Sequence, residues 1–175
     1  MSSAAPSAQR PPGAATTVAA RHRPLYTPAE RARRDATRWT AVQGVLAATQ
    51  FFACLVSVAL VLRCLATGEG ATAAAVSVLV KTALLYTIMV TGCLWEKAVF
   101  GRYLFAPAFF WEDVLSMVVM ALHTAYLWAW ATGSLGLREQ LLLALAAYAA
   151  YGLNATQFLL KLRMARRDAR AGAAQ

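Results

Sequence analysis

Four stretches of mostly apolar residues, at about 41–62, 73–95, 112–132 and 139–160, constrain this chain more than any other feature. A helix rises about 1.5 Å per residue, so each stretch is long enough to cross a hydrocarbon core of about 30 Å. The connections between them are short, and short connections make neighbouring helices antiparallel. The expected fold is therefore all-α: a polytopic membrane protein built as an antiparallel four-transmembrane-helix bundle. Composition agrees, since 59% of the 175 residues are hydrophobic and only 14% are charged, both far from the averages of soluble domains.

The formal charge of +9 invites a nucleic-acid partner, but the apolar runs argue against one. Basic ends on a membrane chain are explained by topology and anionic lipid headgroups. Fourteen of the seventeen Lys and Arg residues lie before the first span, in the 96–113 connection or after the fourth span. Arg63 and Arg138 lie on the other side and Lys81 lies inside a span. The positive-inside rule then predicts that both termini and the 96–113 connection are cytoplasmic. Residues 1–24, rich in Ala, Ser, Pro and Arg, read as a disordered leader without the apolar core of a signal peptide. The membrane domain is expected over 25–168 and a flexible tail over 169–175. Cys54, Cys64 and Cys93 form no CxxC pair and read as packing residues rather than a disulfide or zinc framework.

Taken in order, Thr27-Pro28-Ala29-Glu30 is a helix start, with Thr27 as cap, Pro28 at the first position and Glu30 three residues on. That helix is expected to run straight into the first span. There Gln43, Ala47, Gln50, Cys54 and Ser57 form a small, weakly polar stripe suited to close helix packing. Lys81 stands deep in the second span, where a charge costs about 2.5–3.5 kcal/mol on the insertion scale. It either faces a partner inside the bundle or snorkels to the surface. Tyr86 continues the same partly polar face. Pro107 is expected to open the third helix and to place Glu112 and Asp113 in its early turns. His123 lies eleven residues after Glu112, about 20° around the helix and about 16 Å along it, with Ser116 on the same side. Tyr148, Tyr151, Asn154 and Phe158 mark one face of the fourth span.

The segment 95–113, WEKAVFGRYLFAPAFFWED, holds three of the eight acidic residues and seven of the eighteen aromatics. No phosphate loop, GxSxG elbow, zinc triad or paired-histidine haem site accompanies it. What remains is one constellation near the cytoplasmic face, Glu96, Lys97, Arg102, Glu112 and Asp113, with Tyr86, Lys81 and His123 deeper. Aromatic belts with snorkelling charges anchor many membrane proteins without any chemistry. Three carboxyls at a helix boundary add a second reading, because a carboxyl at the edge of an apolar site is suited to proton donation near neutral pH.

The strings RPLYTPAERARRDATRWT, LVLRCLATGEG, KTALLYTIMVTGCLWEKAVFGRYLFAPAFFWEDV and SMVVMALHTAYL resemble the vinyl (bacterio)chlorophyllide hydratase family of bacteriochlorophyll biosynthesis. The resemblance covers about residues 23–167 and leaves out the leader. It implies a cofactor-independent hydro-lyase in a bacterial inner membrane. Such an enzyme adds water across the 3-vinyl group of chlorophyllide a, or a related chlorin, to give a 3-(1-hydroxyethyl) group. The partners implied are the chlorophyllide-type substrate, membrane lipid and neighbouring enzymes of the same pathway.

Hydration of a vinyl group needs a proton delivered to its terminal carbon, stabilisation of the cation left next to the ring, and a base that orients water. On that chemistry Glu112 or Glu96 is the expected donor and Asp113 the residue that orients water. Phe105, Phe109, Phe110 and Trp111 would hold the macrocycle, and Lys97 or Arg102 would pair with its propionate. Lys81 and Tyr86 would line the substrate site. His123 either ligates the substrate's magnesium as neutral imidazole or packs between helices. The competing classes are a pigment- or haem-binding assembly protein without turnover and a small proton-coupled transporter. The transporter is weakened by the absence of repeated broken helices in two halves.

Overall fold

A computed structural model describes residues 25–173, with side chains through residue 167, and its regular structure is entirely helical. The elements are α1 (Pro28–Ala36), α2 (Arg38–Thr67), α3 (Ala71–Phe100), α4 (Phe110–Thr132) and α5 (Leu137–Ala173). The last four are long and apolar enough to cross a membrane, and each contains one of the expected spans. The expected leader, 1–24, lies outside the described residues.

α1 begins as its sequence dictates. Thr27 and Glu30 form the reciprocal capping box, with the Glu30 N–H donating to Thr27 Oγ1 at 3.2 Å and the Thr27 N–H donating to Glu30 Oε2 at 2.8 Å. It does not run straight into the first span as expected. Thr37 takes an extended conformation (φ −84°, ψ 135°) and ends α1 while capping α2. Thr residues supply the reason. Thr37 Oγ1 accepts from the Trp39 N–H at 3.4 Å, and Thr40 Oγ1 donates to Arg34 O at 2.6 Å, so local side-chain bonds replace the helical ladder. The nine-residue α1 can then turn across the end of α3, where Arg33 Nε donates to Val99 O at 2.7 Å.

Two left-handed glycines, Gly68 (φ 75°) and Gly70 (φ 78°), reverse the chain between α2 and α3. A side chain at either φ would be strained. The result is a close α2/α3 hairpin, matched by an α4/α5 hairpin. The two halves meet chiefly along α2–α5, with a lighter α3–α4 seam. Apolar burial cannot hold such helices together in lipid, so packing of small side chains and interhelical hydrogen bonds must.

Both are present. Val61, Val78 and Ala144 are fully buried where α2, α3 and α5 meet. Gln43 Nε2 donates to Thr91 Oγ1 at 2.7 Å and Gln50 Nε2 to Leu84 O at 3.2 Å. Ser57 joins Ser77 at 2.7 Å and Tyr148 at 2.5 Å. Bonds of this type average about 0.6 kcal/mol each in membranes, so several are needed to fix register. Lys81 resolves the two readings of its sequence position. It is fully buried, donates to Gln50 Oε1 and sits 3.8 Å from the centroid of the Tyr151 ring.

Candidate functional site at the terminus-bearing end

The end of the bundle that carries α1 also carries the 101–109 connection. α3 stops at Gly101 (φ 78°), whose N–H donates to Lys97 O at 3.1 Å. Pro107 does not open α4 as expected. It lies in the turn before it, the Phe109 N–H closes that turn on Ala106 O at 2.8 Å, and α4 begins at Phe110 with Phe109 as its cap. Aromatic packing explains the later start. Phe109 is buried against Trp95 (centroids 5.5 Å), Phe158 (5.8 Å, stacked) and Tyr26 (6.2 Å). That anchor holds the turn to α3, α5 and the residue ahead of α1. Burial pushes the Tyr26 hydroxyl above its ordinary value, against the opposing charge of Arg34 over its ring.

All three expected carboxyls are buried here. Glu96, Glu112 and Asp113 are 5%, 6% and 5% exposed. The structure divides them. Glu96, from the last turns of α3, and Asp113, from the first turn of α4, lie next to each other under the turn, within electrostatic reach. Two buried carboxyls so placed can share one proton, the protonated group donating to the ionised one. Each also accepts one backbone N–H from the turn: Phe105 N to Asp113 Oδ2 at 2.7 Å and Ala106 N to Glu96 Oε2 at 3.1 Å. Glu112 instead faces Lys161 of α5, with Nζ 2.5 Å from Oε2. The Lys161 ammonium also donates to Ala108 O and lies 5.0 Å from the Phe109 ring centroid. The charges of Glu112 and Lys161 both reach Asp113, so the three carboxyls form one electrostatic unit with two distinct parts.

The aromatic side chains divide as well. Phe105, Phe110 and Trp111 are exposed, Phe105 packs on Phe110 (5.7 Å) and Phe110 on Trp111 (5.4 Å, edge-on). Phe109 faces inward and supports the turn. An open groove of about 430 Å³ reaches Trp111 and Glu112 and is otherwise lined by Leu25, Gln157, Leu160, Lys161 and Met164. This is within the volume range of small-molecule sites. Lys97 and Arg102 are exposed at the same end, with Lys97 Nζ donating to Gly101 O at 3.1 Å and lying 5.1 Å from the Tyr103 ring.

Three other expected site residues lie away from this end. Tyr86 ties α3 to α4 through Thr124 Oγ1 at 2.6 Å. Lys81 and His123 are fully enclosed in the middle of the bundle, and the groove includes neither. His123 Nδ1 meets Val119 O at 2.8 Å, which makes it the protonated nitrogen and leaves Nε2 as a buried lone pair without a partner. Between the two levels Asn154 Nδ2 donates to Ser116 Oγ at 2.8 Å. Among the described residues no group of three or more His, Cys, Asp or Glu side chains is arranged to hold a metal ion.

Reading the sequence alone missed Lys161. It stands among the basic residues that close the chain, and charge alone does not separate it from Arg163 or Arg166. The available signal was its spacing from Phe158, three residues earlier on the face already marked by Tyr151 and Asn154.

The fold and site together define a four-helix membrane protein with a buried pair of carboxyls at one end, under an aromatic turn. The family described as 2-vinyl bacteriochlorophyllide hydratase (BCHF) matches residues 26–164, and this chain belongs to it. Two proteins named 2-vinyl bacteriochlorophyllide hydratase are close relatives. One, from Cereibacter sphaeroides, is 67% identical over 154 residues, covering 87% of this chain and 95% of its own. The other, from Rhodobacter capsulatus, is 66% identical over 145 residues, covering 83% and 84%. No solved structure matches the chain.

Proposed function

We propose that this protein is a hydro-lyase that adds water to the vinyl group of a bacteriochlorophyllide-type pigment, with the Glu96–Asp113 pair as its acid and base. The observation that carries the site assignment is the convergence of two buried carboxyls on the successive Phe105 and Ala106 N–H groups. Family membership supports the reaction class.

The shared proton passes from the pair to the terminal vinyl carbon, whose new C–H bond uses the vinyl π electrons. The cation left on the adjacent carbon is delocalised into the macrocycle and stabilised by the carboxylate that has just formed. Water bonds to that carbon and gives its extra proton back to the pair. The pair ends each cycle with the one proton it began with, so the cycle consumes no cofactor. Both residues keep about a twentieth of their surface open, which suits a two-carbon arm rather than the ring itself.

The ring lies outside, against Phe105, Phe110 and Trp111 and along the groove of Trp111, Leu160 and Met164. Lys97 or Arg102, at the wet edge, meets the pigment's carboxylate. Glu112 is bound to Lys161 and serves as fixed negative charge beside Asp113; the geometry favours Glu96 as donor. Lys81, Tyr86 and His123 hold helices together in the middle of the bundle. The terminus-bearing end faces the cytoplasm of a bacterial inner membrane, in keeping with its basic residues. There lipid and neighbouring enzymes of the pathway have access to the pigment.

The test is incubation of membranes in which this is the only pathway protein with the vinyl pigment, followed by mass analysis. A gain of one water supports the reading. Pigment that is bound and recovered unchanged would select a carrier without turnover.

A further inference from the structure

The 101–109 turn contains one residue other than glycine in the left-handed region, Phe105 at φ 58°. A bulky side chain there costs of the order of 1 kcal/mol or more and persists only where its surroundings impose it. Its consequence lies in the main chain. The N–H groups of two successive residues, Phe105 and Ala106, point at two different carboxyls, Asp113 Oδ2 (2.7 Å) and Glu96 Oε2 (3.1 Å). Successive N–H groups turned to one side by a left-handed residue form a concave anion-binding surface. Here it closes over the pair that the proposed reaction deprotonates and reprotonates. The turn is held in place at its other end by Lys161 on Ala108 O and by the buried Phe109 ring.

We infer that the Phe105–Ala106 main chain is the positioning element of the acid pair: its two N–H groups hold the carboxylate that forms when the shared proton leaves. Phe105 thus has two separable roles, its ring toward the pigment and its N–H toward Asp113. This inference rests on the hydration reading above and adds to it a residue that acts through the main chain. An N–H group aimed at developing negative charge stabilises it without reorganisation. An acidic side chain held only by flexible side chains would have to reorganise in each cycle.

The experiment replaces Phe105 by its α-hydroxy acid analogue, which keeps the ring and puts an ester oxygen in place of the N–H. It compares this with Phe105→Gly, which keeps the N–H, relaxes φ and removes the ring. Both full-length proteins are assayed in membranes for pigment binding and for turnover at saturating pigment. The α-hydroxy acid form is expected to bind pigment as the unaltered protein does and to lose about 10- to 100-fold in kcat, the worth of one hydrogen bond to a charged group. Phe105→Gly is expected to show the converse, a raised KM with a kcat loss at least tenfold smaller. Equal kcat in the α-hydroxy acid form and the unaltered protein would overturn the inference, as would a kcat loss in Phe105→Gly that matches or exceeds it. Should the α-hydroxy acid form fail to fold, the Phe105→Gly result still decides, since a large kcat loss with the N–H in place contradicts it. Hydration by the unaltered protein in the same assay separates failure of this inference from failure of the reaction assigned above.

Discussion

Two buried polar regions of this bundle are built to opposite ends. In the middle, Lys81, Gln50, Ser57, Tyr148 and Tyr151 come from regular helices and satisfy one another across α2, α3 and α5. The partners are complementary, donor to acceptor and ammonium to ring face. At the terminus-bearing end, Glu96 and Asp113 bring like groups together under an irregular turn. Complementary partners lower the energy of one fixed arrangement, whereas two adjacent buried carboxyls can share a proton and so have one to give and a place to receive one. The middle region is suited to hold the fold, and the end region to do chemistry.

This contrast breaks most visibly at Asp113. Asp113→Asn keeps the shape of the pair and the Phe105 contact but removes the base. Turnover should fall by about 100- to 10,000-fold, the usual worth of one general acid or base, while an absorbance titration shows pigment still bound. Full turnover would take Asp113 out of the mechanism.

Lys161→Met probes the link between the pair and the turn. It strands the buried Glu112 charge and frees Ala108 O. Breaking a fully buried pair costs about 3–5 kcal/mol, and since the Lys161 side chain is a quarter exposed a discounted loss of about 1–2 kcal/mol is expected. Turnover should drop by about tenfold as the turn loosens. Adding Glu112→Gln should restore most of the stability, because the stranded charge is gone. Thermal unfolding in detergent and kcat measured on both variants check this.

The middle region should answer in stability alone. Lys81→Met leaves Gln50 Oε1 without its donor and should cost about 1–3 kcal/mol with kcat within about twofold. A kcat loss beyond tenfold at unchanged stability would move Lys81 into the site. His123→Leu belongs to the same test, since an unchanged spectrum of bound pigment is expected for a side chain that does not ligate magnesium. The smallest effect is expected for Tyr148→Phe. It removes one hydroxyl bond to Ser57 and should cost about 0.5–1.5 kcal/mol without altering turnover.

Much of this architecture was legible in the sequence because lipid imposes simple rules. Apolar length gave the four spans, and Thr27 with Glu30 gave the start of α1. The break at Thr37 was not legible, because a threonine before a helical stretch reads equally as interior or as cap until its bonds are known. Pro107 misled for a related reason. Proline suits a first helical position, but here the buried Phe109 ring decided where α4 begins. The carboxyls of the site were visible as a cluster, whereas their division was not. Pairing Glu96 with Asp113 and Glu112 with Lys161 depends on how the last turn of α3 and the far end of α5 meet the first turn of α4. Those contacts join residues 17 and 49 positions apart, and no local pattern encodes them.

The role of the Glu96–Asp113 pair is tested most directly by what Glu96→Gln does with heavy-oxygen water. Membranes carrying this variant and membranes carrying the unaltered protein are given saturating vinyl pigment in that solvent, and the pigment is weighed by mass spectrometry. The unaltered protein should yield pigment heavier by one labelled water, and Glu96→Gln should retain bound pigment with almost none of that product. Equal labelled product from both would contradict the assignment of the shared proton to this pair.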